Sequence, residues 1–375
     1  MKISTLQENL KNGLSLVSHI AGKNVNLPIL NNILINADSE GIKLISTNLE
    51  IGITCFIRGK IEKEGNFTVN SKIISDYISL LANKKVNIEL KKEELVVESD
   101  NYKTVIKGEK ADDFPLIPQI NKETYFKTKI NDFKKALSKT IFAVSNSETR
   151  MELSGVLFVF DKDNLTIAAT DSYRLAEKQI KIESNTKMES KVIIPVKTLQ
   201  EVLRVLSNVK IEELDERESE IEFYLSDNQI MFSIDKIEVV SRVIEGQYPD
   251  YKQIIPKDSK TEIMINRNEF IRAIKAASIF SKTGVNDINL DFTIDKNITL
   301  ISSSSGITGE NKTEIESKIT GSDNGIVLNY IYLLEGVNSI NTENIILKII
   351  DLNTPCVLKA DNGDDYIYII MPIKQ

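Results

Sequence analysis

The chain has 375 residues, with 54 Asp and Glu against 47 Lys and Arg (net charge -7), one His, two Cys and no Trp, enough for two or three domains. That acidic balance argues against binding nucleic acid through bulk charge, and no apolar run approaches the ~20 residues that cross a bilayer. The first residues lack the apolar core of a signal peptide, and Cys55 and Cys356 lie far apart, so a soluble protein of a reducing cytoplasm is expected.

In chain order, Leu10, Leu14 and Val17 mark the apolar stripe of a first helix, followed by a loop over 22–26. Strands follow at 33–35 and 42–46, ending on Thr47-Asn48-Leu49-Glu50. A strand at 67–70, a helix at 71–81 and strands at 86–90, 95–98 and 102–107 lead to Ala111-Asp112-Asp113-Phe114-Pro115. The order then restarts. Phe133, Ala136, Leu137, Ile141 and Val144 lie on one helical face, a polar loop spans 145–150, and strands at 153–160 and 165–169 run into Thr170-Asp171-Ser172-Tyr173-Arg174-Leu175-Ala176. A strand at 192–195, a helix at 196–206 and strands near 220–225, 229–233 and 238–243 bring the chain to Gln247-Tyr248-Pro249. The third pass places Phe270, Ile274 and Ala277 on a helix, 281–287 in the loop, and strands at 288–294 and 298–302. It continues with a strand at 326–329, a helix at 330–337, strands at 345–350, 356–360 and 366–370, and ends on Met371-Pro372.

A period of about a third of the chain points to repeated domains rather than a solenoid of short units. Each copy holds two helices and roughly eight short strands and closes on an apolar residue followed by Pro, which cannot donate to a ladder. The expected class is α+β, in three repeated domains at 1–120, 121–250 and 251–375, each with two helices packed on antiparallel sheets.

Catalytic chemistry finds little support. His19 sits inside the first helix, no Cys/His cluster has metal-ligand spacing, and no Gly-rich loop follows a strand to cradle phosphate. Asp171 with Arg174 reads better as a turn cap or local ion pair than as a catalytic carboxylate and its clamp. No cofactor or metal is expected. The placement of charge says more than its sum. On the six expected helices lie Lys11, Lys72, Lys134, Lys135, Lys139, Lys197, Arg204, Arg267, Arg272 and Lys275, ten cations, against Glu8, Asp76, Asp132, Glu201, Glu269 and Glu335, six acids. The helices are positive in a negative chain. Ile279 falls on the polar face of its helix, seven residues after Arg272, beside Phe280, and an apolar pair so placed wants a partner.

The chain resembles the bacterial DNA sliding clamps, the beta subunits of DNA polymerase III, along essentially its whole length. Leu27-Pro28-Ile29-Leu30, Ala111-Asp112-Asp113-Phe114-Pro115, the 169–176 segment, Tyr248-Pro249-Asp250-Tyr251 and the Met371-Pro372 tail carry the resemblance, in order and spacing. It implies a homodimeric ring, closed head to tail, whose helices face sequence-independent duplex DNA. The basic residues of the inner wall would then include Lys72, Lys134, Lys135, Lys139, Lys197, Arg204, Arg272 and Lys275, with Lys23, Arg150 and Lys282 in the loops after the first helices. The resemblance further implies an apolar groove for partners' short linear motifs, at Leu153, Thr170, Tyr173, Arg174, Leu175, Pro249, Ile254, Tyr332, Pro355, Ile369, Met371 and Pro372. Gln253 and Lys374 replace the Arg often found at these positions in the family. The subunit contact is implied at Ile279 and Phe280, against the strand near Ile106 of a second copy. Implied partners are the replicative polymerase catalytic subunit, a clamp-loader ATPase, and other DNA polymerases and repair proteins. The expected function is thus a non-enzymatic processivity factor. The rival readings are a β-rich peptide-binding scaffold without nucleic acid and, more remotely, a hydrolase using Asp171.

Overall fold

The helical stripes read above form α1 (Gln7–Val17), α2 (Ser71–Leu80), α3 (Ile130–Thr140), α4 (Val196–Asn208), α5 (Arg267–Ser278) and α6 (Tyr330–Ser339). However, α3 stops before Ile141 and Val144, where a 3-10 turn (Ile141–Ala143) takes over, and His19 lies beyond the end of α1. The computed structural model describes residues 1–375 apart from 23–25, 148, 188, 210–218, 306–308 and 375. Leu10, Leu14 and Val17 of α1, Phe133, Ala136 and Leu137 of α3, and Phe270, Ile274 and Ala277 of α5 are buried at 0–1 % exposure, as their spacing requires. Asn70, Asn266 and Asn329 accept first-turn backbone N–H groups at the starts of α2, α5 and α6, one cap used three times.

The strands form two antiparallel sheets, one in each of two compact units. The first unit comprises Met1–Ile130, Glu183–Lys187 and Lys197–Val243. Its fourteen strands run, edge to edge, Glu183–Ser184, Phe126–Lys129, Glu220–Leu225, Gln229–Ile234, Ile237–Arg242, Ile51–Ile57, Gly41–Thr47, Asn32–Asp38, Gly65–Asn70, Tyr102–Glu109, Glu94–Ser99, Lys85–Lys91, Lys2–Leu6 and Gly59–Lys63. The second unit comprises Asn131–Ile182, Met188–Val196 and Ile244–Gln375. Its twelve strands run Ser190–Pro195, Gly155–Phe160, Asn164–Thr170, Arg174–Lys181, Tyr366–Ile370, Cys356–Ala360, Asn344–Ile349, Thr261–Asn266, Gly309–Gly321, Ile298–Ser305, Asp287–Thr293 and Asn324–Asn329.

Two strands in every copy escape the sequence reading, and Gly59–Lys63 and Glu183–Ser184 add a third in the first and second copies. One precedes the first helix of each copy (Lys2–Leu6, Phe126–Lys129, Thr261–Asn266) and runs into it without a Gly or Pro to mark the change. The other extends each hairpin (Ile51–Ile57, Arg174–Lys181, Gly309–Gly321), and it links the copies. Ile51–Ile57 pairs with the last strand of the second copy, from Ile51↔Ser241 to Cys55↔Ile237. Arg174–Lys181 pairs with the last strand of the third copy, from Arg174↔Ile370 to Lys178↔Tyr366. The strands of the second copy are therefore shared between the two units.

The third such pairing is not made among the described residues. Gly309–Gly321 bonds to Ile298–Ser305 and, from residue 317 on, to Thr261–Asn266, so one edge of 309–316 has no strand partner among the described residues. Tyr102–Glu109 bonds to Glu94–Ser99 and reaches Gly65–Asn70 only through Gly108 and Glu109, which leaves 102–107 open in the same way.

Candidate functional site

The segment after the second strand of the first two copies folds into one and the same turn. Thr170 Oγ1 accepts from Ser172 N (3.1 Å) and donates to Arg174 O (2.6 Å), while Asp171 Oδ1 accepts from the backbone N–H of Tyr173 and Arg174, both at 2.9 Å. In the first copy Thr47 Oγ1 accepts from Leu49 N and donates to Ile51 O, both at 3.0 Å, and Asn48 Oδ1 accepts from Glu50 N and Ile51 N at 3.0 and 2.8 Å. The shared bonds hold Leu49 and Ser172 at φ +76° and +77°. Asp171 is a turn cap.

Arg174, only 9 % exposed, leaves this turn with every side-chain nitrogen engaged. Its Nε donates to Asp171 Oδ2 (3.1 Å), Nη2 donates to Phe142 O (2.8 Å) and Nη1 donates to Glu335. The guanidinium lies 4.6 Å from the Tyr332 ring centre, stacking that ring beside the turn. Leu175, one residue on, is fully buried against Leu157, Ala168, Ile193, Tyr251, Val357 and Ile369, with Tyr248, Ile244 and Ile255 packed around them. Tyr248 Oη accepts from Thr170 N (3.1 Å), and Tyr251 Oη donates to Glu177, which ties the 248–251 segment onto this sheet. The tail continues the surface: Met371 N donates to Tyr173 O and Ile373 N to Val327 O, both at 2.8 Å.

Of the twelve groove residues, the structure brings Tyr173 (63 % exposed) and Ile254 (42 %) to the surface, with Pro249, Tyr332, Pro355, Met371 and Pro372 half-buried. Leu153, Leu175 and Ile369 are at most 1 % exposed, and Thr170 and Arg174 are also buried, so these five support a groove from beneath rather than line it. Gln253 bonds to Asp250 (2.7 Å), and Lys374 is exposed.

The helix cations divide by what they already touch. Lys139 pairs with Asp364 and lies 5.1 Å from the Tyr366 ring centre. Arg204 binds Glu201 (Nη2 to Oε1, 2.6 Å) and donates to the Ser15 and Leu16 carbonyls at the end of α1. Arg267 donates to Val337 O and Asn338 O at the end of α6 in the same manner. These three are engaged within the fold, which the sequence reading of Lys139 and Arg204 as phosphate contacts did not foresee: spacing shows which face a side chain leaves from, not which neighbour takes its charge. Glu201 is also bonded by His19 Nδ1 at 2.6 Å, and Glu335 by Arg174. With three of ten cations and these two of six acids set aside, seven cations still face four acids on the helices. Lys72, Lys135, Lys197, Arg272 and Lys275 are exposed, as are Arg150 and Lys282 in the loops, whereas Lys134 is half-buried. Lys23 lies outside the described residues.

At the end of α5, Ile279 is 70 % exposed, and Phe280 lies half-buried against Gly309 on the open edge strand. Ile106 is only 5 % exposed and points into its own core. Val105 (50 %), which faces the opposite way from Ile106, and Tyr102 (59 %) at the start of the strand are its exposed apolar residues. Among the described residues no cluster of His, Cys, Asp or Glu has metal-binding geometry. Burial pushes the Cys55 and Cys356 thiols up to about 12, too high for ready thiolate formation near neutral pH.

Three copies of a two-helix, antiparallel-sheet domain, with neighbouring copies joined edge to edge, make up the fold of a DNA clamp. The families described as the N-terminal, central and C-terminal domains of the DNA polymerase III beta subunit match residues 1–118, 127–250 and 252–374. The beta sliding clamp of Bacillus subtilis (strain 168) is 27% identical over 384 residues, spanning 100% of both chains. That of Staphylococcus aureus (strain Mu50 / ATCC 700699) is 27% identical over 358 residues, 93% of this chain and 92% of the other. Crystal structures of the DNA polymerase sliding clamp from Bacillus subtilis (TM-score 0.91) and the DNA polymerase III beta subunit from Thermotoga maritima (TM-score 0.88) are each 26% identical and cover 100% of this chain and 99% of theirs. The chain belongs to the DNA polymerase III beta subunit family.

Proposed function

We propose that this chain is a DNA sliding clamp: two copies close head to tail into a ring around duplex DNA, and the ring holds the replicative polymerase at its primer end. The open edges carry this reading. The hairpin strand of one copy pairs with the last strand of the next at both junctions inside the chain, and the third pairing, 309–316 with 102–107, awaits a second chain. Two chains joined twice in this way leave neither edge open and form a closed ring. Enclosure then replaces affinity: a ring that cannot leave sideways keeps its cargo at high effective concentration.

Exposed Lys72, Lys135, Lys197, Arg272 and Lys275 on the helices suit weak, exchangeable phosphate contacts, and a sleeve that slides needs no base contacts. In the loops, Lys282 is exposed, and Arg150 is exposed but paired with Glu152 (3.1 Å). The surface at Tyr173, Pro249, Ile254, Met371 and Pro372, braced by Arg174 and floored by Leu175 and Ile369, suits a partner's extended peptide with one large apolar side chain. Such a surface serves the polymerase, a clamp-loader ATPase and repair proteins in turn, in the cytoplasm where the chromosome is copied. The chain performs no chemistry of its own.

Retention on nicked circular duplex, compared with the same DNA linearised, tests this directly. The chain is expected to stay on the circle and run off the linear form; equal loss from both sinks the ring.

A further inference from the structure

A second apolar hollow lies within the first unit, at the place in the repeat where the peptide surface lies in the second. It measures about 270 Å³ and is lined by Leu49, Gly52, Leu116, Ile117, Val240 and Arg242, among others. Three observations single it out. First, apolar groups stand open at its mouth, since Leu116 is 95 % exposed and Leu49 47 %. Second, the 115–118 segment, bounded by Pro115 and Pro118, belongs to no helix or strand, and the backbone N–H groups of Leu116 and Ile117 bond to nothing among the described residues. Gly52 lets this segment lie close, because a Cβ there would stand 2.7 Å from the Ile117 side chain. Third, the guanidinium of Arg242 at the rim is exposed and has no ion-pair partner among the described residues.

From these we infer that the hollow is a second docking site, for an extended peptide that carries a large aliphatic or aromatic residue beside a carboxylate. The peptide's main chain bonds to the unpaired N–H groups of Leu116 and Ile117, its apolar side chain enters the hollow between Leu49 and Leu116, and its carboxylate meets Arg242. The space is too small for a typical organic ligand and right for one or two side chains. The Glu50 carboxylate stands on the same rim with no ion-pair partner among the described residues, so it repels a carboxylate displaced from the Arg242 end. The site rests on features of the first unit alone and stands apart from the peptide surface proposed above.

The test is a titration of the full-length chain, labelled at Leu, Ile and Val methyls, with the blocked tetrapeptide Glu-Leu-Leu-Glu, read by NMR. The methyls of Leu49, Leu116 and Ile117 are expected to shift, and Met371→Ala to leave that response unchanged. Arg242→Glu should weaken binding about tenfold or more, as expected for losing a charge-assisted bond, and Glu50→Lys should tighten it. Unchanged melting of both variants separates the effect from misfolding. No shift at these methyls with millimolar peptide, a response indifferent to both charge variants, or shifts confined to the surroundings of Leu175 and Ile369 would overturn the proposal.

Discussion

Ile279→Ala tests ring closure with a magnitude set by the structure. Fully burying an Ile side chain is worth about 1.5–3 kcal/mol. At 70 % exposure in the single chain, Ile279 has about 1–2 kcal/mol of that still to gain from a partner. A head-to-tail dimeric ring contains the contact twice, so truncation costs the ring about 2–4 kcal/mol, a weakening of about 30- to 1,000-fold. Because the side chain leaves the chain's own core untouched, the fold should change by no more than about 0.5 kcal/mol. Phe280→Ala deepens the loss but also removes a contact with Gly309, so it belongs in a double variant with its own melting curve. Sedimentation across nanomolar to micromolar concentrations should show the wild type dimeric where Ile279→Ala is monomeric, with superimposable melts. A variant that stays dimeric at wild-type concentrations would refute the placement of the contact and the closure of the open edges with it.

Reversing charge at Lys72, Lys135, Lys197 and Lys275 together should lower affinity for duplex and flatten its dependence on salt, since fewer counterions are released; an unchanged salt slope in a binding titration assigns the phosphate contacts elsewhere. Arg174→Met should cost about 3–5 kcal/mol in urea unfolding, because Asp171 and Glu335 lose their counter-charge in a partly desolvated site and the Phe142 carbonyl loses its donor. Met371→Ala, which keeps the backbone bond to Tyr173, should weaken a polymerase-derived peptide about tenfold in calorimetry without moving the melt; normal binding would place the groove elsewhere. Burial alone would raise the Asp364 carboxyl, but hydrogen bonds from Lys139 and Lys178 and their charges outweigh it and hold it below the usual carboxylate range. The stability it contributes is therefore full above the unfolded value of about 4 and is lost as pH falls through the lower folded value. Asp364→Asn should thus melt lower than wild type at pH 7, the gap closing in strong acid.

The sequence by itself determined the repeat, because helix stripes such as Phe133–Ala136–Leu137 and Phe270–Ile274–Ala277 depend only on local period, and each is buried as its phase demands. It also determined the turn at Asp171, whose capping bonds span three residues. Tertiary structure decided the rest. The strands that join the copies are ordinary runs in sequence, and their partners lie more than a hundred residues away, where no period reaches. Burial separated Leu175 and Ile369, which form a floor, from Tyr173 and Ile254, which form a surface, and it turned Ile106 inward while leaving Val105 out. The fate of each charge was likewise a matter of neighbours: Lys135 stays in water, while Lys139, four residues on, pairs with Asp364, in a loop that reaches it only in the folded chain.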